Sequence, residues 1–517
     1  MSGRHRTILG AAAVGAGMVV AVFAGHAQAL QVRGTGIVSA QFYELRPLVQ
    51  DTVALSQVVT DSLGRRTFDG FPVTCPLVDR CTYYRSTDVE GALAATQDLR
   101  VTAWGLPVRG LSAVGMLRFR QDVGGAAAWP RSDDAFDLLL GYLELDRTRY
   151  RVRLGRLRTL SGLGFSGYDG AEVRLALPWQ SRLELYGGRS LARGLEEPRD
   201  DAYDPAEPFA PDRQSWLLGV AAGWEPVPGS DLELRYQRDL LSDRSVLLSE
   251  RASLDASSRV GPLAIDVGVD YDVARTRFGK SRLAVAAPVA RDVVVEGTLR
   301  RYRPYFELWT IWGWFDPVPY NEAELAAAAG RGEWHARASL AWRAYEDSHA
   351  PIIRRPLEED ALRAALTGSW SREPWRVSAG YRLERGFGAW SSSGDAAVLW
   401  QPVRSLELGV HGSAQQQILE FRLGEAYLLG GGGSARWRVS DRIAVWAGGA
   451  VYRQTYDGRP TAVDWSQRRA WAGLEYGFGA EPGGRAAPLP PGLWPEQPRP
   501  SGSDGPARTE AATEPGR

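Results

Sequence analysis

Outside the first thirty residues the chain carries three histidines, His335, His349 and His411, and these are the first place to look for acid–base chemistry. They stand in separate segments, and a hydrolase would need a Ser or Asp within hydrogen-bond reach of one of them. His335 and His411 fall on the polar side of alternating stretches, where a solvated side chain is the simpler expectation. Ser166 in GLGFSGYDG is outside the G-x-S-x-G spacing and precedes a strand, so no nucleophile elbow is expected. LLGGGGSARW, 428–437, lacks the Lys-Ser/Thr ending and the following helix of a phosphate cradle, and is expected to be a flexible loop leading into a strand. Asp266, Asp270 and Asp272 share one face of PLAIDVGVDYD and offer the oxygen ligands that a hard cation takes. On a strand, alternate carboxylates are spread about 7 Å apart, so arginines on neighbouring strands are the expected partners. No catalytic residue, metal site or cofactor is therefore predicted.

The two cysteines, Cys75 and Cys81, lie in VTCPLVDRCTYYR. In an exported chain this spacing most simply makes one small disulfide loop; a redox or metal pair would be expected to have a neighbouring His. There is no C-x-x-C-H, so the chain carries no covalent haem of its own.

Arginines and carboxylates are the chemistry that remains. Those predicted to line a pore are Arg149, Arg151, Arg153, Arg174, Arg182, Glu184, Glu233, Arg235, Asp266, Asp270, Arg337, Arg343, Arg376 and Arg382, with Glu172, Glu296, Arg300 and Glu384 on the same side. Rings of charge set the preference of a pore for ions and solutes. Both signs occur here, and arginine pairs bidentately with carboxylates across strands, so bracing with weak selectivity is expected ahead of a dedicated binding site.

These side chains need strands to hold them. In RYRVRLG, Arg149, Arg151 and Arg153 oppose Tyr150, Val152 and Leu154, and EWHARASLAWRAY sets Trp334, Ala336, Ala338, Leu340 and Trp342 against His335, Arg337, Ser339 and Arg343. In RLELYGG the alternation holds for Arg182 to Leu185 and then breaks at Tyr186. Hairpins built around Pro-containing turns recur, as in LALPWQSRLELYGG (175–188), WEPVPGSDLELRY (224–236) and LWQPVRSLELGV (399–410). Short turns such as LPVRG (106–110), LDRTR (145–149) and GRGE (330–333) alternate with longer stretches such as QDVGGAAAWPRSDD, SLARGLEEPRDDAYDPAEPFAPDRQ and YRQTYDGRPTAVDWSQ. Soluble sandwiches also alternate apolar and polar residues; short turns on one rim and long loops on the other distinguish a transmembrane barrel. A strand in lipid cannot leave its backbone unpaired, so the sheet must close, apolar outside and tolerant of charge within. Trp104, Trp179, Trp224, Trp370, Trp375, Trp400 and Trp446 lie near predicted strand ends, where interfacial girdles sit.

The fold class predicted is thus all-β, a closed antiparallel barrel of about 22 strands within a range of 18 to 22, both termini on the short-turn side. Its first strand is read as GIVSAQFYEL from Gly36 and its last as RRAWAGLEYGFG, ending near Phe478. Residues 46–96 form a long loop holding both cysteines, which either covers the mouth, enters the lumen or makes a small plug domain.

Residues 1–29 read as a cleaved signal peptide: Arg4, His5 and Arg6 precede an apolar small-residue run that ends at Ala27-Gln28-Ala29. Residues 30–479 hold the barrel, and 480–517, rich in Pro, Gly and Ala, read as a disordered tail. Elsewhere no apolar run approaches the ~20 residues of a spanning helix. With 61 basic and 61 acidic residues and a mean hydropathy of -0.26, no nucleic-acid footprint is expected.

RVRLGRLRTLSGLGFSGYDGAEVRL, 151–175, resembles the porin pattern of a strand with a Leu-Gly-Arg core, a Gly-rich loop and an aromatic-Asp-Gly step, here Tyr168-Asp169-Gly170. With the signal peptide and the hairpins, the chain resembles the porin-like β-barrels of Gram-negative outer membranes over roughly residues 34–479. The resemblance implies an outer-membrane channel for passive diffusion of small hydrophilic solutes, in contact with outer-membrane lipid and inserted by the barrel assembly machinery. The alternative is a barrel that sheathes an exported protein partner such as a multihaem cytochrome.

Overall fold

The computed structural model describes residues 30–479 except 47, 61–65, 70, 76–78, 87, 126–134, 192–214, 242–246, 304–318, 347–359, 387–388, 421–423 and 458–463. The expected signal peptide, the expected tail and His349 lie outside the described residues.

The first strand, β1 (Gln31–Leu45), is followed by a small sheet of β2 (Leu48–Ala54), β3 (Val59–Thr60), β4 (Arg66–Phe68), β5 (Phe71–Thr74) and β6 (Arg80–Ser86). The chain then runs through β7 (Glu90–Trp104), β8 (Leu111–Gly125), β9 (Phe136–Asp146), β10 (Tyr150–Ser161), β11 (Gly164–Leu177), β12 (Ser181–Leu191) and β13 (Ser215–Trp224). Next come β14 (Ser230–Leu241), β15 (Leu247–Val260), β16 (Leu263–Asp272), β17 (Arg277–Ala290), β18 (Val293–Tyr302), β19 (Tyr320–Arg331) and β20 (Trp334–Tyr345). The series ends with β21 (Asp360–Arg372), β22 (Trp375–Gly386), β23 (Ala389–Val403), β24 (Leu406–Glu420), β25 (Gly424–Ser440), β26 (Ile443–Asp457) and β27 (Trp465–Gly479).

β1 and β7–β27 form one 22-stranded antiparallel sheet in which each strand pairs with its neighbour in sequence. It closes because β1 pairs with β7 on one side and with β27 on the other, Val38 facing both Gln97 and Leu474. Closure leaves no edge strand, the condition for a sheet to stand in lipid. Both ends of the barrel chain, Gln31 and Gly479, lie on the rim that carries ten connections of six residues or fewer.

Five connections on the opposite rim are just as short, at 162–163, 242–246, 273–276, 387–388 and 421–423, so the predicted asymmetry holds only for the remainder. β1 begins five residues before Gly36, where Gln31 pairs with Trp104, and the long excursion ends at Val89 rather than 96 because Glu90 already pairs with Leu45. The stretch 452–467 is mostly strand, belonging to β26 and β27. LLGGGGSARW is not a loop either: Gly430–Gly433 lie inside β25 and pair with β24 and β26.

Among the described residues the small sheet in the excursion pairs only within itself, in the order β2-β6-β5-β4-β3. Val53, Cys81 and Tyr83 form its buried centre, with Phe68 and Phe71 packed against it, and Cys75 and Cys81 are joined in a disulfide. The Arg85 guanidinium, 3.0 Å away, holds the exposed Asp51 carboxyl below the usual carboxylate range.

Alternation sorts the barrel into two faces. On β13, Trp216 (50% exposed), Leu218 (51%) and Trp224 (47%) point outward while Leu217 (2%) and Ala221 (4%) point inward. Along the short-turn rim the outer face carries cross-strand tryptophan pairs, Trp334 with Trp370 at 6.0 Å and Trp375 with Trp400 at 5.5 Å, beside Trp224 and Trp437. These make one interfacial girdle. Trp179 sits exposed in the β11–β12 turn, and Trp104 turns inward to donate to Gln31. Trp446 is no girdle residue: it lies on the inner face, directly opposite Gly473, with its ring over that glycine.

Candidate functional site

The inner wall is where the sequence's charges meet. All the predicted inward residues lie on it, except that Arg149 falls in the β9–β10 turn, at the rim rather than in a strand. From β9 to β14 the side chains form one chain of alternating sign. Arg153 bridges Glu144 (2.7 Å) and Glu172 (3.4 Å), Arg174 reaches Glu184 (2.6 Å), and Arg235 bridges Glu184 (3.1 Å) and Glu233 (3.0 Å). Arg182 ends it on Glu233 (3.2 Å) and Asp231 (2.7 Å). The register builds this network, since cross-strand partners such as Arg153 and Glu172, or Arg174 and Glu184, stand directly opposite one another.

A second network runs from β16 to β22. Its centre is Glu322, 3% exposed, which takes Arg343 at 2.8 Å, Arg363 at 2.9 Å and Arg300 at 3.6 Å. Glu384 receives Arg343 and Arg363 from the other side, and Arg337 lies between Glu296 and Glu324. Asp266 meets Arg282 at 3.8 Å as expected, Asp270 accepts the backbone N–H of Lys280, and Asp272 accepts that of Arg275 and stands opposite Arg251 and Arg277 on the neighbouring strands. Arg376 and Arg382 stand on β22, opposite Ser371 and Ala365. Among the described residues no group of carboxylates, histidines or cysteines is arranged to hold a metal ion.

The wall opposite is different. On β23 to β26 the inward positions are mostly small or neutral, including Ser391, Ser393, Ser413, Gly430, Gly432, Ser434 and Gly448. The lumen thus has one charged wall and one smooth wall. His335, Arg337, Arg376 and Asp395 are exposed on the inner face, so water reaches it. His335 stands opposite Ser369 but makes no hydrogen bond among the described residues, and His411 stands between Ala397 and Gly432. His335 and Ser369 are therefore not joined as base and nucleophile among the described residues.

The segment 151–175 holds a feature that its sequence pattern did not reveal. It is strand almost throughout, with only residues 162–163 as the turn between β10 and β11. Gly155, Gly170 and Gly188 stand side by side on three adjacent strands. Gly155 has φ 136°, and a Cβ at Gly170 would lie 2.5 Å from the Gly188 Cα. At this row without side chains the backbones approach closely and the hairpin bends into the barrel.

Beyond the bend the tip crosses the inner face of β12–β14 and reaches β15. There Arg251 donates to the Leu163 carbonyl and Gly162 lies against the Asp255 carboxylate. Leu157, Tyr168, Tyr186 and Leu217 pack together beneath the hairpin, with Tyr142 at the edge and the Tyr168 and Tyr186 rings 5.8 Å apart. The Tyr186 hydroxyl donates to Gln237 at 3.1 Å, and the Arg235 guanidinium lies over the Tyr186 ring. An apolar cluster inside a hydrated barrel fixes the hairpin as a shelf that narrows the lumen.

Leu157, Tyr168 and Leu217, with Arg251 and Asp255, are absent from the predicted residues. The signal was available at Tyr186, whose break in the alternation puts an aromatic ring on the polar face. Glu322 and Arg363 were reachable by period two alone, since YNEAEL places Tyr320, Glu322 and Glu324 on one side.

The closed sheet, apolar exterior and charged interior make this a membrane-spanning β-barrel of outer-membrane, porin-like architecture. No family model matches the sequence, and no curated protein matches it. Solved structures similar to this chain include a BenF-like porin from Pseudomonas fluorescens Pf-5, at 10% identity over 88% of this chain and 100% of that one, with a TM-score of 0.39. Another is OccAB2 from Acinetobacter baumannii, at 10% identity, 87% and 98% coverage and a TM-score of 0.40. A third, OccK3 (OpdO) from Pseudomonas aeruginosa, has 10% identity, 86% and 96% coverage and a TM-score of 0.37.

Proposed function

We propose that the protein is a channel of the Gram-negative outer membrane through which small hydrophilic solutes diffuse passively, without catalysis. The observation that carries this reading is the shelf of the β10–β11 hairpin inside a barrel whose inner wall is polar and reached by water. A barrel of this size would otherwise leave a wide aqueous lumen. The shelf narrows it on the charged side, leaving the smooth wall of β23–β26 as the other margin of the path. Because the charges are largely paired, the fixed field along that path nearly cancels and selectivity between cations and anions is weak.

Single-channel recording of the purified chain in a planar bilayer tests this. Stable conductance steps with a reversal potential near zero in a salt gradient are expected. A protein that is folded and inserted yet silent would overturn the open-channel reading and point to a lumen filled by a partner.

A further inference from the structure

The wall is unevenly sealed where the β10–β11 hairpin leaves it. β9 is hydrogen-bonded to β8 along its length but to β10 only through Gly141–Asp146, so among the described residues Phe136–Leu140 have no strand partner on the β10 side. The missing partner is the distal half of β10, whose hairpin tip is drawn across the lumen to Arg251 and Asp255 on β15. A side chain serves in its place, the Arg156 guanidinium donating to the Leu138 carbonyl at 2.8 Å. Backbone left out of a ladder at membrane depth is tolerated only where protein covers it or where it lines a cavity.

Both borders of this gap are apolar. On the outer face Phe119 and Phe136 stand directly opposite one another with ring centres 5.1 Å apart, both exposed, and they alternate with the inward Arg118, Arg120 and Asp137. On the hairpin, Leu157 and Tyr168 pack toward β12 and β13, so the opposite face, which carries Arg158, Leu160 and Phe165, is turned to open space. Leu160 is 81% exposed and Phe165 44%, apolar surface that a path for hydrophilic solutes alone does not use. The charges beside them do not cancel. Arg118 is held by Asp98, Arg120 by Asp137 and Arg156 by Asp169, whereas Arg158 forms no ion pair among the described residues. Its Nε is buried without a hydrogen bond, and its guanidinium lies 5.8 Å from the centre of the Phe165 ring.

We infer that the gap between β9 and the drawn-in hairpin is a side portal, through which an alkyl-chain amphiphile with one anionic head group passes between the lumen and the membrane. Its chain lies against Phe136, Leu160 and Phe165, and its head is taken by Arg158. The exposed leucine and phenylalanine call for an apolar chain, because burying them returns free energy that a polar solute does not recover. The surplus guanidinium calls for the anion, since four arginines stand against three carboxylates and Arg158 is the one left over. The unpaired edge of β9 sets the route: chain and head meet where the wall lacks a strand, not at either mouth of the barrel. The inference rests on the membrane-barrel reading above and adds a sideways path to the axial one.

The test uses the full mature chain in phosphatidylcholine nanodiscs with one added cysteine carrying a small fluorophore, Cys75 and Cys81 being closed in their disulfide. Leu160→Cys reports the portal, Leu218→Cys the lipid face and Ser393→Cys the smooth inner wall, whose label gives the quenching that reaches through an intact sheet. With phosphatidylcholine bearing a mid-chain doxyl group, the label at 160 should be quenched as strongly as that at 218 and well above that at 393. Hexadecyl phosphate should relieve the quenching at 160 at about a tenfold lower concentration than hexadecanol, and Arg158→Gln should abolish that difference. Quenching at 160 no greater than at 393 overturns the proposal, as does equal competition by the phosphate and the alcohol in the unaltered background. Should Leu160→Cys fail to fold, Phe165→Cys on the same face replaces it. A chain that conducts while residue 160 stays unquenched loses this inference only; a silent chain with residue 160 quenched loses the open-channel reading and keeps the portal.

Discussion

Glu322 shows what a single carboxylate does in this wall. It is 3% exposed and faces three arginines from three strands, so its charge offsets guanidinium groups that are themselves half buried. Removing one partner of such a cluster leaves the remaining charges uncompensated, which costs about 3–5 kcal/mol, whereas an exposed pair such as Arg85 with Asp51 is worth about 0–1 kcal/mol. Glu322→Gln should therefore lower the stability of the folded barrel by about 3 kcal/mol. The urea midpoint of the protein in micelles measures this, and an unchanged midpoint would mean that water already screens the cluster.

At the scale of elements, the β10–β11 hairpin differs from its neighbours because it is held from within. Tyr168 is fully buried between the hairpin and the wall, and its truncation to Ala should cost about 3–5 kcal/mol of packing. That amount is enough to release the tip from Arg251 and Asp255 without opening the sheet, whose hydrogen bonds do not depend on this side chain. Tyr168→Ala is expected to raise single-channel conductance and to expose the 161–164 turn to protease. If the turn becomes cleavable while conductance stays the same, the shelf is not what narrows the path.

On the scale of the whole molecule, closure and the excursion are separable. Leu45 pairs with Glu90, so the barrel strands that flank the small sheet are already neighbours and need only a short turn to join them. Replacing residues 48–86 with a short Gly/Ser linker should leave a folded barrel with the same heat-dependent electrophoretic mobility. Its conductance then reports whether the small sheet obstructs the mouth: a rise means that it does, and loss of folding would show that the sheet is needed to pair β1 with β7.

Much of this architecture can be read from local chemistry. Period-two alternation and ten short turns suffice for the strand number, the location of the termini and the inward side of residues such as Arg153, Glu184 and Arg343, because side-chain direction in a strand depends only on parity. The disulfide partners follow from there being two cysteines. Contacts between strands far apart in sequence are another matter. Nothing in GLGFSGYDG states that its tip meets Arg251 and Asp255, and the glycines of β25 look like a loop until the rings and backbones of β24 and β26 are seen against them. Trp446 resembles a girdle residue until its register places it inside, over Gly473. Parity is a property of each strand; the bend of a hairpin, the matching of three arginines to one glutamate and the packing of a ring on a glycine are properties of neighbours, and neighbours exist only once the sheet has closed.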